Sequence, residues 1–224
     1  HGLDLYDYGA RMQDGMRFTT IDPLAEKYYS ISPYAYCMNN PIRLIDSDGL
    51  FPILINGRVN NDSERGSSTY WNKNIRETIK TQTGYSYNQF KYVDGDKGRW
   101  PSSRAKAGNI QGKLDAAAVY AKLKKTIKDG KITEQLQVIS HSRGGAFASG
   151  YMKGLTTEII KLSQNDKIGF AYGRDNIVEY SVNIAPHQSN WINYDDNGSK
   201  NVNVSHIGDL LSGDDATGNV INIQ

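Results

Sequence analysis

A single cysteine, Cys37, rules out an internal disulfide framework and a cysteine-rich zinc site. No apolar run approaches the roughly 18 residues that a membrane-spanning helix needs. The opening residues, His-Gly-Leu-Asp-Leu-Tyr, carry neither the basic nor the apolar region of a signal peptide. Charge of one sign is scarce too. Lys and Arg number 26 against 24 Asp and Glu, and a net +2 is too small to imply a nucleic-acid partner. The densest basic stretch, Arg104 to Lys131, falls on a predicted helix and reads as a solvated face. What is present is ordinary globular material: 224 residues, 38% hydrophobic, with 22 glycines. That suits one medium domain, or a small domain with an appendage.

Residues 1–50 and 51–224 differ in texture. The first segment holds six of the fifteen tyrosines, with many Asp, Asn and Pro and almost no helical periodicity. Leu-Tyr-Asp-Tyr-Gly-Ala-Arg-Met alternates like a strand, while Thr-Ile-Asp-Pro-Leu, Ser-Pro-Tyr, Asn-Asn-Pro-Ile and Asp-Ser-Asp-Gly are turn chemistry. Fifty such residues bury little core alone, so they need a larger neighbour.

The motifs of residues 3–50 occur in a specific order: Leu5 to Arg11, Arg17 to Pro23, Ser32 to Tyr36, Asn39 to Pro41 and Ile45 to Leu50. In that order they resemble the RHS repeat-associated core domain. The resemblance implies a chain that ends a far larger polymorphic toxin. In that family the core closes a cocoon of tyrosine-rich repeats and a variable toxin domain follows it. It also implies secretion or delivery into a target cell and a cognate immunity protein as partner. Some members cleave themselves after the core's final leucine with a pair of aspartates. The matching positions are Asp22 and Asp46, with the scissile bond after Leu50; Ser47 stands where the family has proline. Such a pair would share a proton, one group acting as acid and the other as base.

From Phe51 strands and helices alternate. Strands are predicted at Pro52–Gly57, Gln89–Asp94, Leu136–Ser140, Asn176–Ala185, Asn201–Ser205 and Val220–Ile223. Helices are predicted at Tyr70–Thr81, at Ser103–Asp129 closed by Gly130, and at Arg143–Gln164. In the second helix Ile110, Leu114, Ala117, Ala118, Ala121 and Ile127 fall near helical spacing; in the third, Phe147, Tyr151, Leu155, Ile159 and Leu162 line one side. This order predicts an α/β fold: a doubly wound, mostly parallel sheet covered on both faces.

Ser142 lies in Val-Ile-Ser-His-Ser-Arg-Gly-Gly, between the third strand and the small-residue start of the next helix. A hydroxyl there is presented at the sheet's carboxyl edge, with backbone N–H groups and a positive dipole end behind it. His-Ser-Arg-Gly-Gly resembles the nucleophile elbow of lipases and related α/β-hydrolases, with Ser140 in place of the usual glycine. The resemblance implies a serine hydrolase that needs no cofactor. The backbone N–H of Arg143 would form the oxyanion hole, with a second donor from the loop after the first strand, at Gly57. His141 is expected to point away from substrate.

In this fold the acid follows the nucleophile and the histidine follows the acid. Asp209, after the fifth strand, is the predicted acid, with Asp214 and Asp215 as rivals. No histidine follows the sixth strand, so the base is expected beyond residue 224, with His206 as the internal candidate and His187 behind it. The expected activity is hydrolysis of a lipid or other ester. A nuclease using His141, His187 and His206, and a non-catalytic binding domain, are the alternatives.

Overall fold

A computed structural model describes residues 6–7, 12–13, 52–128, 131–166, 172–173, 176–194, 199–205, 216–218 and 220–223. By Cα packing the chain divides into two compact units. The first comprises His1–Ser47 with Glu77–Tyr85, and the second Asp48–Arg76 with Ser86–Gln224. In the first unit, β1 (Tyr6–Asp7) pairs antiparallel with β2 (Met12–Gln13). The stretch read as one alternating strand therefore contributes two short ones. Helix α1 (Lys73–Thr83) begins in the second unit and ends in the first. It starts three residues later than periodicity suggested. Ser68–Tyr70 form a 3-10 turn, Trp71 is extended, and the Asn72 side chain accepts from the Asn74 N–H at 2.8 Å, an N-cap contact.

The second unit is an α/β sheet domain. It contains β3 (Ile53–Asn56), β4 (Lys91–Asp94), helix α2 (Pro101–Leu123) and a small hairpin of β5 (Ile127–Lys128) with β6 (Lys131–Ile132). Then follow β7 (Leu136–His141), helix α3 (Gly144–Asn165), β8 (Val178–Ile184), β9 (Lys200–Val204) and β10 (Val220–Ile223). Six strands form one sheet in the order β10-β9-β8-β7-β3-β4, and every pairing in it is parallel.

Burial divides this sheet. All of β3 is buried, as are the first five residues of β7. Both strands centre on short apolar runs, Ile53–Ile55 and Val138–Ile139, the mark of strands covered on both faces. Strands β8 to β10 alternate instead, and β9 does so against hydrophobic expectation. Asn201 and Asn203 are 2% exposed, whereas Val204 is 38% exposed. Register explains the inversion. Ser140, Asn183, Asn203 and Asn222 stand side by side across four strands. Ser140 donates to Asn183 Oδ1 at 2.6 Å, Ser181 to Asn201 Oδ1 at 2.6 Å, and Asn203 Nδ2 to Asn222 Oδ1 at 3.2 Å. These cross-strand bonds offset the burial of the amides, although Asn203 Oδ1 accepts none among the described residues.

Helix α3 packs on β7, β3 and β8, and α2 packs on α3. Phe147, Tyr151, Leu155 and Ile159 are buried as their spacing predicts. The apolar stripe predicted for α2 is not its buried face. Ile110 and Leu114 are 54% and 71% exposed. The buried positions are Pro101, Arg104, Gly108, Gly112, Ala116, Val119, Tyr120 and Leu123. Backbone approach, not side-chain bulk, decides this face. A methyl built on Gly108 would lie 2.0 Å from the Phe147 carbonyl oxygen, and one on Gly150 1.9 Å from that of Ala105. The predicted helix to Asp129 also stops early, at Leu123. A 3-10 turn, Lys124–Thr126, leads into β5, and pairing of Lys128 with Lys131 leaves Asp-Gly between them. That dipeptide is a strong two-residue hairpin signal.

On an exposed helix Gly→Ala is stabilising by about 1 kcal/mol. Gly150→Ala is expected to do the reverse, costing about 1–3 kcal/mol through overpacking against α2. Urea unfolding of the two proteins reads the sign.

Candidate active site

The carboxyl ends of β3, β4 and β7 meet at one place on the sheet edge. At its centre Ser142, between β7 and α3, has φ +54°, a left-handed conformation that costs an L-residue about 1–2 kcal/mol. The surroundings over-determine it. Its N–H donates to the Ile184 carbonyl at 2.9 Å, and its carbonyl accepts from the N–H groups of Gly145 and His187, each at 3.1 Å. The chain reaches this turn only past glycines. A methyl on Gly144 would lie 2.6 Å from the Asn56 carbonyl oxygen, and one on Gly57 2.7 Å from Ser142 Cβ. Among the described residues the Ser142 hydroxyl has no hydrogen-bond partner, and the first turn of α3 begins two residues beyond it.

Gly57 thus sits against Ser142, as its place after the first strand predicts. The Tyr70 hydroxyl stands beside it. That hydroxyl lies 3.0 Å from the methyl built on Gly57 and 2.5 Å from His141 Nδ1. The ring of His141 is half-buried, with the Tyr70 and Trp71 rings at 5.7 and 6.5 Å. Burial holds its pKa below the ordinary value. Burial also raises the Tyr70 pKa, helped by Glu64 and Asp96 and opposed by the Gly57 N–H.

Arg143 has helical backbone angles, and its side chain turns toward the loop after β4. It pairs with Asp96 at 3.1 Å and donates to the Gly98 carbonyl at 2.7 Å. The same loop carries Asp94. Burial alone would raise that carboxyl's pKa, but Lys97 at 2.7 Å, the Asp96 N–H and Asn56 together lower it. Arg104, wholly buried in the first turn of α2, donates to the Arg99 carbonyl and to Gln188 Oε1, both at 2.9 Å. Burial, with the nearby Arg143 charge, lowers its pKa to about 10. It fastens α2 to the loop holding His187. Beside that loop a cavity of about 690 Å³ opens over Ala146, Ser149, Lys106, Lys153, Ile192 and Tyr194.

The structure therefore brings together Ser142, Arg143, Gly57 and the backbone of His187. Asp209, His206, Asp214, Asp215, Asp22, Asp46 and Leu50 lie outside the described residues. Tyr70, Asp96, Arg104 and Gln188 were not singled out in the sequence. None has a local signature: Tyr70 and His141 are 71 residues apart, Asp96 and Arg143 47, and Arg104 and Gln188 84. Among the described residues no group of three His, Cys, Asp or Glu side chains could hold a metal ion. No helix among them is long and apolar enough to cross a membrane. No protein-family model and no curated protein matches the chain.

His141 folds as the neutral imidazole, so between its ordinary pKa of about 6.5 and its lowered value the unfolded chain binds the proton first. Its contribution to stability is complete above that ordinary value and falls as pH drops through the window. His141→Gln is expected to flatten this part of the acid slope, read from urea unfolding free energies between about pH 7 and about pH 5.

Proposed function

We propose that the domain from residue 51 is an α/β-hydrolase-type serine esterase with Ser142 as nucleophile. The observation that carries this reading is the φ of +54° at a serine between a parallel strand and a helix. A strained strand-to-helix turn exposes a nucleophile at the top of such a sheet. The flanking strand β3 contributes a loop that touches it, the position from which the second oxyanion donor comes in that fold.

Ser142 Oγ attacks the ester carbonyl carbon while a histidine takes its proton. The Arg143 N–H and the Gly57 region stabilise the resulting oxyanion. Collapse expels the alcohol, which the imidazolium protonates, and water then releases the acid by the same steps. Within this chain the internal candidate for the base is His206, with Asp209 as its orienting acid; His187, whose N–H holds the Ser142 carbonyl, stands on the same edge as Ser142. The cavity beginning at Ala146, on the first turn of α3, offers apolar walls in Ile192 and Tyr194 for an acyl chain. The motifs of residues 3–50 support the setting: the effector end of an RHS polymorphic toxin, delivered to a target cell and restrained by a cognate immunity protein. Phospholipids or other lipid esters of the target membrane are the substrate class this setting favours.

The natural full-length protein should hydrolyse 4-nitrophenyl butyrate and take a fluorophosphonate label on Ser142. Ser142→Ala should remove both, whereas His187→Gln should leave them, since His206, not His187, is the candidate base. Unlabelled wild-type protein, or degradation of DNA or RNA that survives Ser142→Ala, overturns the esterase reading. Ser142→Gly should abolish hydrolysis yet raise stability by up to about 1 kcal/mol, because glycine relieves the left-handed strain. Thermal unfolding checks that gain.

A further inference from the structure

We propose that the cavity between α2, α3 and the loop after β8 binds an anionic amphiphile, with Lys106 and Lys153 holding its charged group. The inference rests on the esterase reading and deepens it by naming the charge of the substrate.

The shape of the cavity follows from how the two helices meet. They run parallel and touch through backbone. A methyl on Gly150 would lie 1.9 Å from the Ala105 carbonyl oxygen, and one on Gly154 2.1 Å from that of Asn109. Contact this close keeps bulky side chains out of the seam. Ala105, Ala146, Ser149 and Gly150 therefore form a floor of small residues, and the space above them is about 690 Å³. Small-molecule sites have this size. Ile192 and Tyr194 wall it as buried residues, whereas Trp191, which also lines it, is 71% exposed and offers an apolar ring at the rim.

Charge decides the occupant. Lys106 on α2 and Lys153 on α3 both line the cavity, and both are exposed. No carboxylate stands among the described residues that line it. An ammonium group donates hydrogen bonds and accepts none, so two of them on one cavity favour an anion. Apolar walls together with cationic ends suit an amphiphile better than a free anion. Position ties the cavity to Ser142. A methyl on Gly145 would lie 3.5 Å from Ile192 Cδ1, which sets Ile192 beside the first turn of α3. Lys153 stands two turns beyond Ala146 on that helix, a rise of about 10 Å. An ester with its negative charge within about that distance of the carbonyl spans both places. A phospholipid with an anionic head is such an ester, and a neutral glyceride is not.

Isothermal titration calorimetry on the natural full-length protein tests this with decyl phosphate below its micelle concentration. Decyl phosphate should bind roughly tenfold more tightly than decyl maltoside, and Lys106→Gln and Lys153→Gln should each weaken it about tenfold, the loss of one charge-assisted hydrogen bond. Ser149→Leu, which fills the floor, should weaken it too. The lysine variants alter exposed side chains and keep the test decisive if that leucine disturbs packing. Decanoate separates the two sources of negative charge: tighter binding of decyl phosphate assigns the head to a phosphate, and tighter binding of decanoate to a carboxylate. Decyl maltoside or inorganic phosphate binding as tightly as decyl phosphate, or lysine variants of unchanged affinity, overturns the inference and leaves the esterase reading intact. Protein that binds decyl phosphate as expected, yet neither hydrolyses 4-nitrophenyl butyrate nor labels on Ser142, overturns the esterase reading and leaves the amphiphile a ligand instead of a substrate.

Discussion

The close approach of the end of β3 to the turn after β7 governs the rest of the site. Gly57 presses on Ser142, and the Asn56 carbonyl presses on Gly144, at separations that leave no room for a Cβ on either glycine. That contact fixes where α3 starts. It forces Ser142 into the left-handed region, and it brings the loop carrying Tyr70 within hydrogen-bond reach of His141. The strain is local, and its support is distributed. The Ile184 carbonyl and the His187 N–H hold the Ser142 backbone from the β8 side. Arg143 and Asp96 tie the turn to the loop after β4. A backbone held from several sides stays in a conformation it would not otherwise adopt.

Rigidity around the turn comes from polar contacts as much as from the core. Arg104 is wholly buried and held by a backbone carbonyl and by Gln188, itself at φ +60°. The Ser-Asn rows across β7 to β9 are buried as well, and together with Asn222 on β10 they specify register. A one-residue slip would turn every amide away from its partner and expose it to an apolar neighbour. A core built this way trades some hydrophobic stabilisation for a single alignment of the strand edge. An active site needs that alignment more than it needs surplus stability.

Much of the domain was legible along the chain. The unbroken apolar runs at Ile53–Ile55 and Val138–Ile139 announce central strands, and Phe147, Tyr151, Leu155 and Ile159 announce a helix face, because burial on a regular element imposes its period. Asp-Gly at residues 129–130 was legible as a hairpin, and the helical reading of the basic stretch before it hid that signal. The buried face of α2 was not legible. A hydrophobic stripe through Ile110 and Leu114 gave the wrong side, because glycine carries no hydrophobic signal while permitting the closest contact. The inward asparagines of β9 misled in the same way.

By itself, the sequence determined the alternation of strands and helices, the parallel sheet it implies, and Ser142 as the residue presented where a strand meets a helix. Local patterning suffices there, because each element writes its own periodicity. Only the tertiary structure decided which groups surround that serine. It joined Tyr70 to His141 and Arg143 to Asp96, and set Gly57 against Ser142. Those contacts depend on how three strand ends converge. Nothing in the local sequence of any one of them encodes the other two.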